Sequence, residues 1–171
     1  MAFNWKNDGG LSGKSDTDYV LEVIESLTMD LMSDPEDAKK LFLRGNGYLD
    51  IGRFDEAIDD YSRIISNSEG DPSVYNNRGI SLRGLGNAEA AVIDLTTALK
   101  MDDDYRDAYN NRGMAYSDLS MYDRALKDLN KAIELDSEYW YALNNRGMLL
   151  WKMGDKEAAF RDYKKVRESF N

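Results

Sequence analysis

The sequence predicts an all-α solenoid built from stacked helical hairpins. Three observations carry this expectation. First, whole columns of residues recur at a spacing of 34: Gly45, Gly79, Gly113 and Gly147; Ala57, Ala91, Ala125 and Ala159; Arg44, Arg78, Arg112 and Arg146; Asp60, Asp94, Asp128 and Asp162. Second, each 34-residue unit carries two stripes at the i, i+4, i+7 spacing of one helical face. Third, Gly52, Gly86 and Gly154 fall between the two stripes, where a tight turn is needed. A lone hairpin of this kind cannot bury its apolar face, so neighbouring units must stack to do so.

The elements follow in chain order. Residues 1–15 contain Gly and Ser without periodicity and read as a flexible arm. Residues 16–34 read as one N-terminal capping helix, with Val20, Ile24, Leu27 and Leu31 on one stripe and Ser15 or Asp16 as its cap. This helix is expected to cover the open face of the first repeat. Residues 35–171 form the four-repeat domain, with units at about 38–71, 72–105, 106–139 and 140–171. Position 1 of each unit is Ala38, Pro72, Arg106 and Trp140. The first stripe is positions 4, 8 and 11, as in Leu41, Gly45 and Tyr48. The second is positions 20, 24 and 27, as in Ala57, Tyr61 and Ile64. Small residues at 8 and 20 allow the two helices of a unit to approach closely. Asp34-Pro35 and Asp71-Pro72 each read as an N-cap followed by Pro at the first helical position.

At the far end, position 28 is Ile65, Leu99 and Ile133, then Arg167; position 17 is Phe54, Ala88 and Tyr122, then Lys156. A terminal unit needs a polar outer face. The chain therefore reads as ending on its own fourth unit, although Phe160 remains apolar.

These columns resemble the tetratricopeptide repeat, a 34-residue helix–turn–helix unit. The resemblance covers about residues 38–171. It departs from the family pattern at Ser120, which takes the place of the turn Gly, and at Asp103 and Ser137, where Pro often closes a unit. The resemblance implies a right-handed superhelix whose first helices line a concave surface. It also implies binding of a partner protein there, because family members with a concave row of Asn hold extended peptides.

Composition narrows the chemistry. Cys and His are absent, which removes disulfides, thiolate or imidazole metal sites and His-dependent nucleophilic catalysis. A net charge of −10 argues against a nucleic-acid partner. No run is long and apolar enough for a membrane span, so no membrane association is expected. Asp102-Asp103-Asp104 lacks the calcium-loop pattern, and Gly45-Asn46-Gly47 neither follows a strand nor opens a phosphate loop. The sequence thus predicts no enzyme, no cofactor, no metal and a cytoplasmic location. The Arg and Asp columns read as structural pairs joining helices.

The candidate site lies along the first helices. Position 6 lies about 200° around the helix from position 4 and so faces away from the packed second helix, which the resemblance implies is the concave side. It holds Leu43, Asn77, Asn111 and Asn145; position 5 holds Phe42, Asn76, Asn110 and Asn144. An amide both donates and accepts, so it can pair with a peptide backbone in either sense. With inner helices about 10 Å apart and a strand advancing about 3.3 Å per residue, one Asn meets the backbone every third residue or so. Asn77, Asn111 and Asn145 are expected to hold that backbone, with Asn76, Asn110 and Asn144 supporting. Ile80, Met114, Met148, Tyr141 and Trp151 are expected to choose side chains. The competing reading is an Asn row that bonds only to neighbouring helices or water.

A family subtype that clamps acidic chaperone tails uses cations that are missing here, since Phe42, Asp107 and Asn111 stand in their places. The alternative function is a structural or self-associating component that uses an end or the acidic convex face. The expected assembly state is a monomer, or weak self-association through the ends. Occupation of a groove by Phe3 and Trp5 of the arm is a further option.

Overall fold

A computed structural model describes residues 15–68 and 70–169. The arm residues 1–14, including Phe3 and Trp5, lie outside the described residues. Among those described, every regular element is a helix: α1 (Asp16–Ser33), α2 (Ala38–Asp50), α3 (Phe54–Asn67), α4 (Pro72–Gly84), α5 (Ala88–Met101), α6 (Arg106–Asp118), α7 (Tyr122–Leu135), α8 (Trp140–Met153) and α9 (Lys156–Glu168). No helix among them is long and apolar enough to cross a membrane. Pairs α2–α3, α4–α5, α6–α7 and α8–α9 form the four hairpins, and each second helix packs on the first helix of the next unit.

Local chemistry sets the helix starts. Ser15 and Asp18 form a reciprocal capping box at α1. Asp71 caps α4 through the amides of Ser73 and Val74, with Pro72 in the first turn. Asp34-Pro35 does not do the same for α2. Asp34 closes α1, and Asp37 caps α2 through Lys39 and Lys40. The two candidates differ by one turn, and the later carboxylate is the one aligned with the first apolar stripe.

The stripes pack as the spacing requires. In the last unit a Cβ on Gly147 would lie 2.6 Å from the Tyr163 ring, so α8 and α9 meet only because that side chain is missing. Tyr61, Leu41, Leu95, Leu129 and Leu143 are fully buried. The core runs as three patches along the stack, each bridging adjacent units; Leu99 of α5, for instance, packs with Ala108 of α6. The turn glycines take positive φ, and Ser120 takes the same conformation at φ 59°.

α1 behaves as the second helix of a preceding unit. Its buried residues Val20, Ile24 and Leu31 match positions 17, 21 and 28, the stripe that meets the next first helix, and Leu27 is half-buried. Ile24 approaches α2 at Gly47, where a Cβ would stand 3.0 Å from Ile24 Cγ1.

Units also meet through positions 17 and 13. Phe54 of α3 lies flat on Gly84 of α4, so that a Cβ there would be 2.7 Å from the ring. At the equivalent joint two units on, the Lys152 ammonium sits 5.0 Å from the centroid of the Tyr122 ring.

Candidate peptide-binding groove

The Arg and Asp columns form the frame beneath the groove. Arg112 Nε and Nη2 donate to the two carboxylate oxygens of Asp128 at 2.7 and 3.0 Å. Its remaining nitrogen, Nη1, donates to Thr96 Oγ1 of the preceding unit at 3.1 Å. The same fork recurs with Arg44 on Asp60 and Thr28, Arg78 on Asp94 and Ser62, and Arg146 on Asp162 and Asn130. Each Arg therefore ties three helices together, and all four Asp are buried. Every fork is spent on the fold, so the ladder offers no anion site.

The Asn side chains form a single directed row. Asn145 Nδ2 donates to Asn110 Oδ1 at 2.9 Å, and Asn110 Nδ2 donates to Asn111 Oδ1 at 3.2 Å. Asn111 Nδ2 donates to Asn76 Oδ1 at 2.9 Å, and Asn76 Nδ2 donates to Asn77 Oδ1 at 3.0 Å. Asn77 Nδ2 ends the row on Asn46 Oδ1 at 2.9 Å, which also accepts from the Tyr61 hydroxyl at 2.7 Å. All amide dipoles thus point the same way, from α8 to α2.

The two Asn columns are not equivalent. Asn76 and Asn110 are only 4% and 5% exposed and lie in the seam between first helices. One step of 100° moves position 5 off the open side that position 6 occupies. They cannot touch a ligand directly, and they orient Asn77 and Asn111 instead. Asn144 leaves the row, its amide turned to Met148 Sδ at 3.7 Å.

The apolar candidates divide similarly. Tyr141 and Met148 of α8 are exposed, whereas Ile80 and Met114 are half-buried. Trp151 turns toward the C-terminal end. Its ring meets Phe160 of α9 edge-on at 5.7 Å, with the Lys156 ammonium 5.2 Å from its centroid. Arg83 and Asp118, which flank the groove, pair with each other at 2.6 Å.

Two features were absent from the sequence-derived site. Asn46 and the Tyr61 hydroxyl terminate the amide row. A cleft of about 570 Å³ opens one turn away, between the starts of α2 and α4 and the end of α3, lined by Lys39, Phe42, Leu43, Ile64, Gly70 and Val74 among others. The signal for it was the break of the Asn pair in the first unit, where Phe42-Leu43 stands in its place.

The comparisons with known proteins agree with this architecture. A tetratricopeptide repeat model matches residues 107–139, and a second model of the same repeat matches 72–105 and 141–167. Among curated proteins none matches. Among solved structures, MamA superposes with a TM-score of 0.75 at 22% identity, over 92% of this chain and 96% of that one. YrrB, described as a repeat protein with an unusual peptide-binding site, gives 0.70 at 20% identity, over 89% and 78%. At these identities the likeness is one of fold. The first repeat domain of Spaghetti (RPAP3), bound to the HSP90 peptide SRMEEVD, gives 0.65 at 28% identity, over 71% of this chain and 96% of that one. With the 34-residue columns, the hairpin stack and the matched units in agreement, the chain belongs to the tetratricopeptide repeat family.

Proposed function

We propose that this protein is an adaptor that holds an extended segment of a partner protein along the concave surface. One observation carries the reading: the amide row is ordered but not exhausted. Asn77 and Asn111 each use one N–H and accept one hydrogen bond within the row. A carboxamide has two N–H groups and two carbonyl lone pairs, so Asn111 keeps one donor and one acceptor for a peptide group, while Asn77, whose amide also faces the Tyr61 hydroxyl, keeps an acceptor. Their orientation is fixed before a ligand arrives, which lowers the ordering cost of binding. Asn145 continues the row beside exposed Tyr141 and Met148, the side chains suited to selecting residues of the ligand.

The RPAP3 domain supports binding of an extended peptide in this architecture. Its acidic ligand does not transfer. Phe42, Asp107 and Asn111 put no cation on the groove spine, and the chain carries a net charge of −10. The fitting partner segment is neutral or basic. No enzymatic step, cofactor or nucleic acid enters this reading.

Panning a random peptide library against the full chain tests it. Selected peptides should bind the wild type and lose about tenfold or more in affinity with Tyr141→Ala plus Met148→Gln. They should be unaffected by Phe160→Ser at the C-terminal end. Both groove positions are exposed, so the variants leave the core intact. No enrichment, or affinity that ignores the groove variant, would overturn the reading. The second reading, self-association through an end, is favoured by one observation: Phe160 is 62% exposed and stacked edge-on with Trp151.

A further inference from the structure

The repeat specifies what is missing from its own first joint. Position 34, the last residue before each following unit, is Asp71, Tyr105 and Tyr139. At the later joints a tyrosine stands at this position and is partly buried against the core of the joint. Tyr105 packs against the α5–α6 core and Tyr139 against the α7–α8 core. The Tyr139 ring lies 4.0 Å from the Arg106 guanidinium, with the Asp107 carboxylate near its hydroxyl; these are positions 1 and 2 of that unit.

The first joint lacks this ring. Gly70 and Asp71 occupy the loop, and the Asp71 carboxylate is engaged in capping α4. The walls have changed to match an apolar guest. Phe42 replaces the buried Asn of position 5, and Leu43, 45% exposed, replaces the Asn of position 6. Ile64 replaces Ala98 and Ala132 and takes up part of the room. The remaining cleft, about 570 Å³, is large enough for an aromatic ring with its flanking backbone. Position 2, where Asp107 stands beside the Tyr139 hydroxyl, is Lys39 here.

We propose that the cleft between α2, α3 and α4 is a receptor site for a tyrosine side chain of the partner segment, the ring seated among Phe42, Leu43, Ile64 and Val74 and the phenol oxygen accepting from the Lys39 ammonium. Leu43 and Val74 of the cleft lie one turn before Asn46 and Asn77 on the same helices, so a backbone held by that row passes beside it and can deliver a side chain into it. The inference rests on the groove reading for that delivery, while the site itself is testable alone.

The probe is p-cresol, the tyrosine side-chain analogue, titrated into the full chain while methyl resonances are followed, with toluene as the comparison. Saturable shifts are expected at Leu43, Ile64 and Val74 and not at Ala108 or Ala142 beside the filled joints. Leu43→Gln should weaken p-cresol binding about tenfold, and Lys39→Met should bring it down to that of toluene. Both positions are exposed, so folding is retained. The proposal is overturned by absence of saturable shifts at Leu43 and Val74, by equal shifts at the filled joints, or by indifference to both variants. Wild-type affinity for toluene equal to that for p-cresol would overturn the role of Lys39. Selected peptides that fail in the groove variant while p-cresol fails to bind would sink this inference and leave the groove reading standing. Binding of p-cresol without any peptide dependence on the groove would do the reverse.

Discussion

At the residue scale, the Ser120 turn and the Arg forks make opposite demands. Ser120 holds φ 59° without the freedom of glycine, at a cost of about 1–2 kcal/mol for an L side chain in that region. Part of this is offset because glycine loses more entropy on folding. Ser120→Gly should therefore stabilise the chain by about 0.5–1 kcal/mol, read as a raised midpoint in urea unfolding. Removing one partner of a fork acts the other way. Arg112→Ala leaves the buried Asp128 carboxylate uncompensated and should cost about 3–5 kcal/mol by the same measurement. Asn111→Ala strands polar atoms of buried Asn76 and Asn110, so its effect on binding has to be read beside its effect on stability.

At the scale of elements, α1 is half a repeat. It offers the next-unit stripe of a second helix and receives the Arg44 fork on Thr28, as Ser62, Thr96 and Asn130 receive theirs. Ile24→Ala opens the α1–α2 contact and should cost about 2–4 kcal/mol. The loss should be local: hydrogen exchange should quicken in α1 and α2 while α6 stays protected, because a repeat stack is coupled mainly to its neighbours. The sequence made this helix legible through Val20, Ile24, Leu27 and Leu31, and the hairpins through their columns. It was less informative where two signals lay one turn apart, as with Asp34 and Asp37. The direction of the amides was also hidden, because position 5 lies on the boundary between seam and groove and only packing decides its side. Trp151 illustrates the same limit: its column places it on a first helix, but its contact with Phe160 is set by how α8 packs on α9.

At the scale of the whole molecule, the phenols set an upper pH bound. Burial pushes the Tyr105 hydroxyl up to about 12, and Tyr61 and Tyr139 are raised further for the same reason. In the unfolded chain these groups ionise near 10, as an unperturbed tyrosine does. Their contribution is therefore fully present below pH 10 and lost progressively above it, the Tyr105 share as pH rises through about 12 and the others higher still, because the unfolded state has released protons that the native state retains. Thermal melts should hold steady up to about pH 10 and fall steeply above it. The exposed Phe160 makes a separate statement about assembly. If the end is adhesive, the sedimentation mass of the wild type should rise with concentration and that of Phe160→Ser should not. A flat profile for both would dispose of end-to-end association.

The joint between positions 17 and 13 carries information about sequence order. Phe54 requires the bare backbone of Gly84, whereas Tyr122 sits beside the Lys152 ammonium. The four hairpins share a framework but are not interchangeable bricks. A gene in which the second and third units were transposed would bring Phe54 against the Cβ of Asp118, with a steric collision where there is now a flat stack. The Phe54–Gly84 contact thus records one piece of serial order, that the first unit directly precedes the second. Grafting or shuffling of its units will succeed only when residues 54 and 84 travel as a pair.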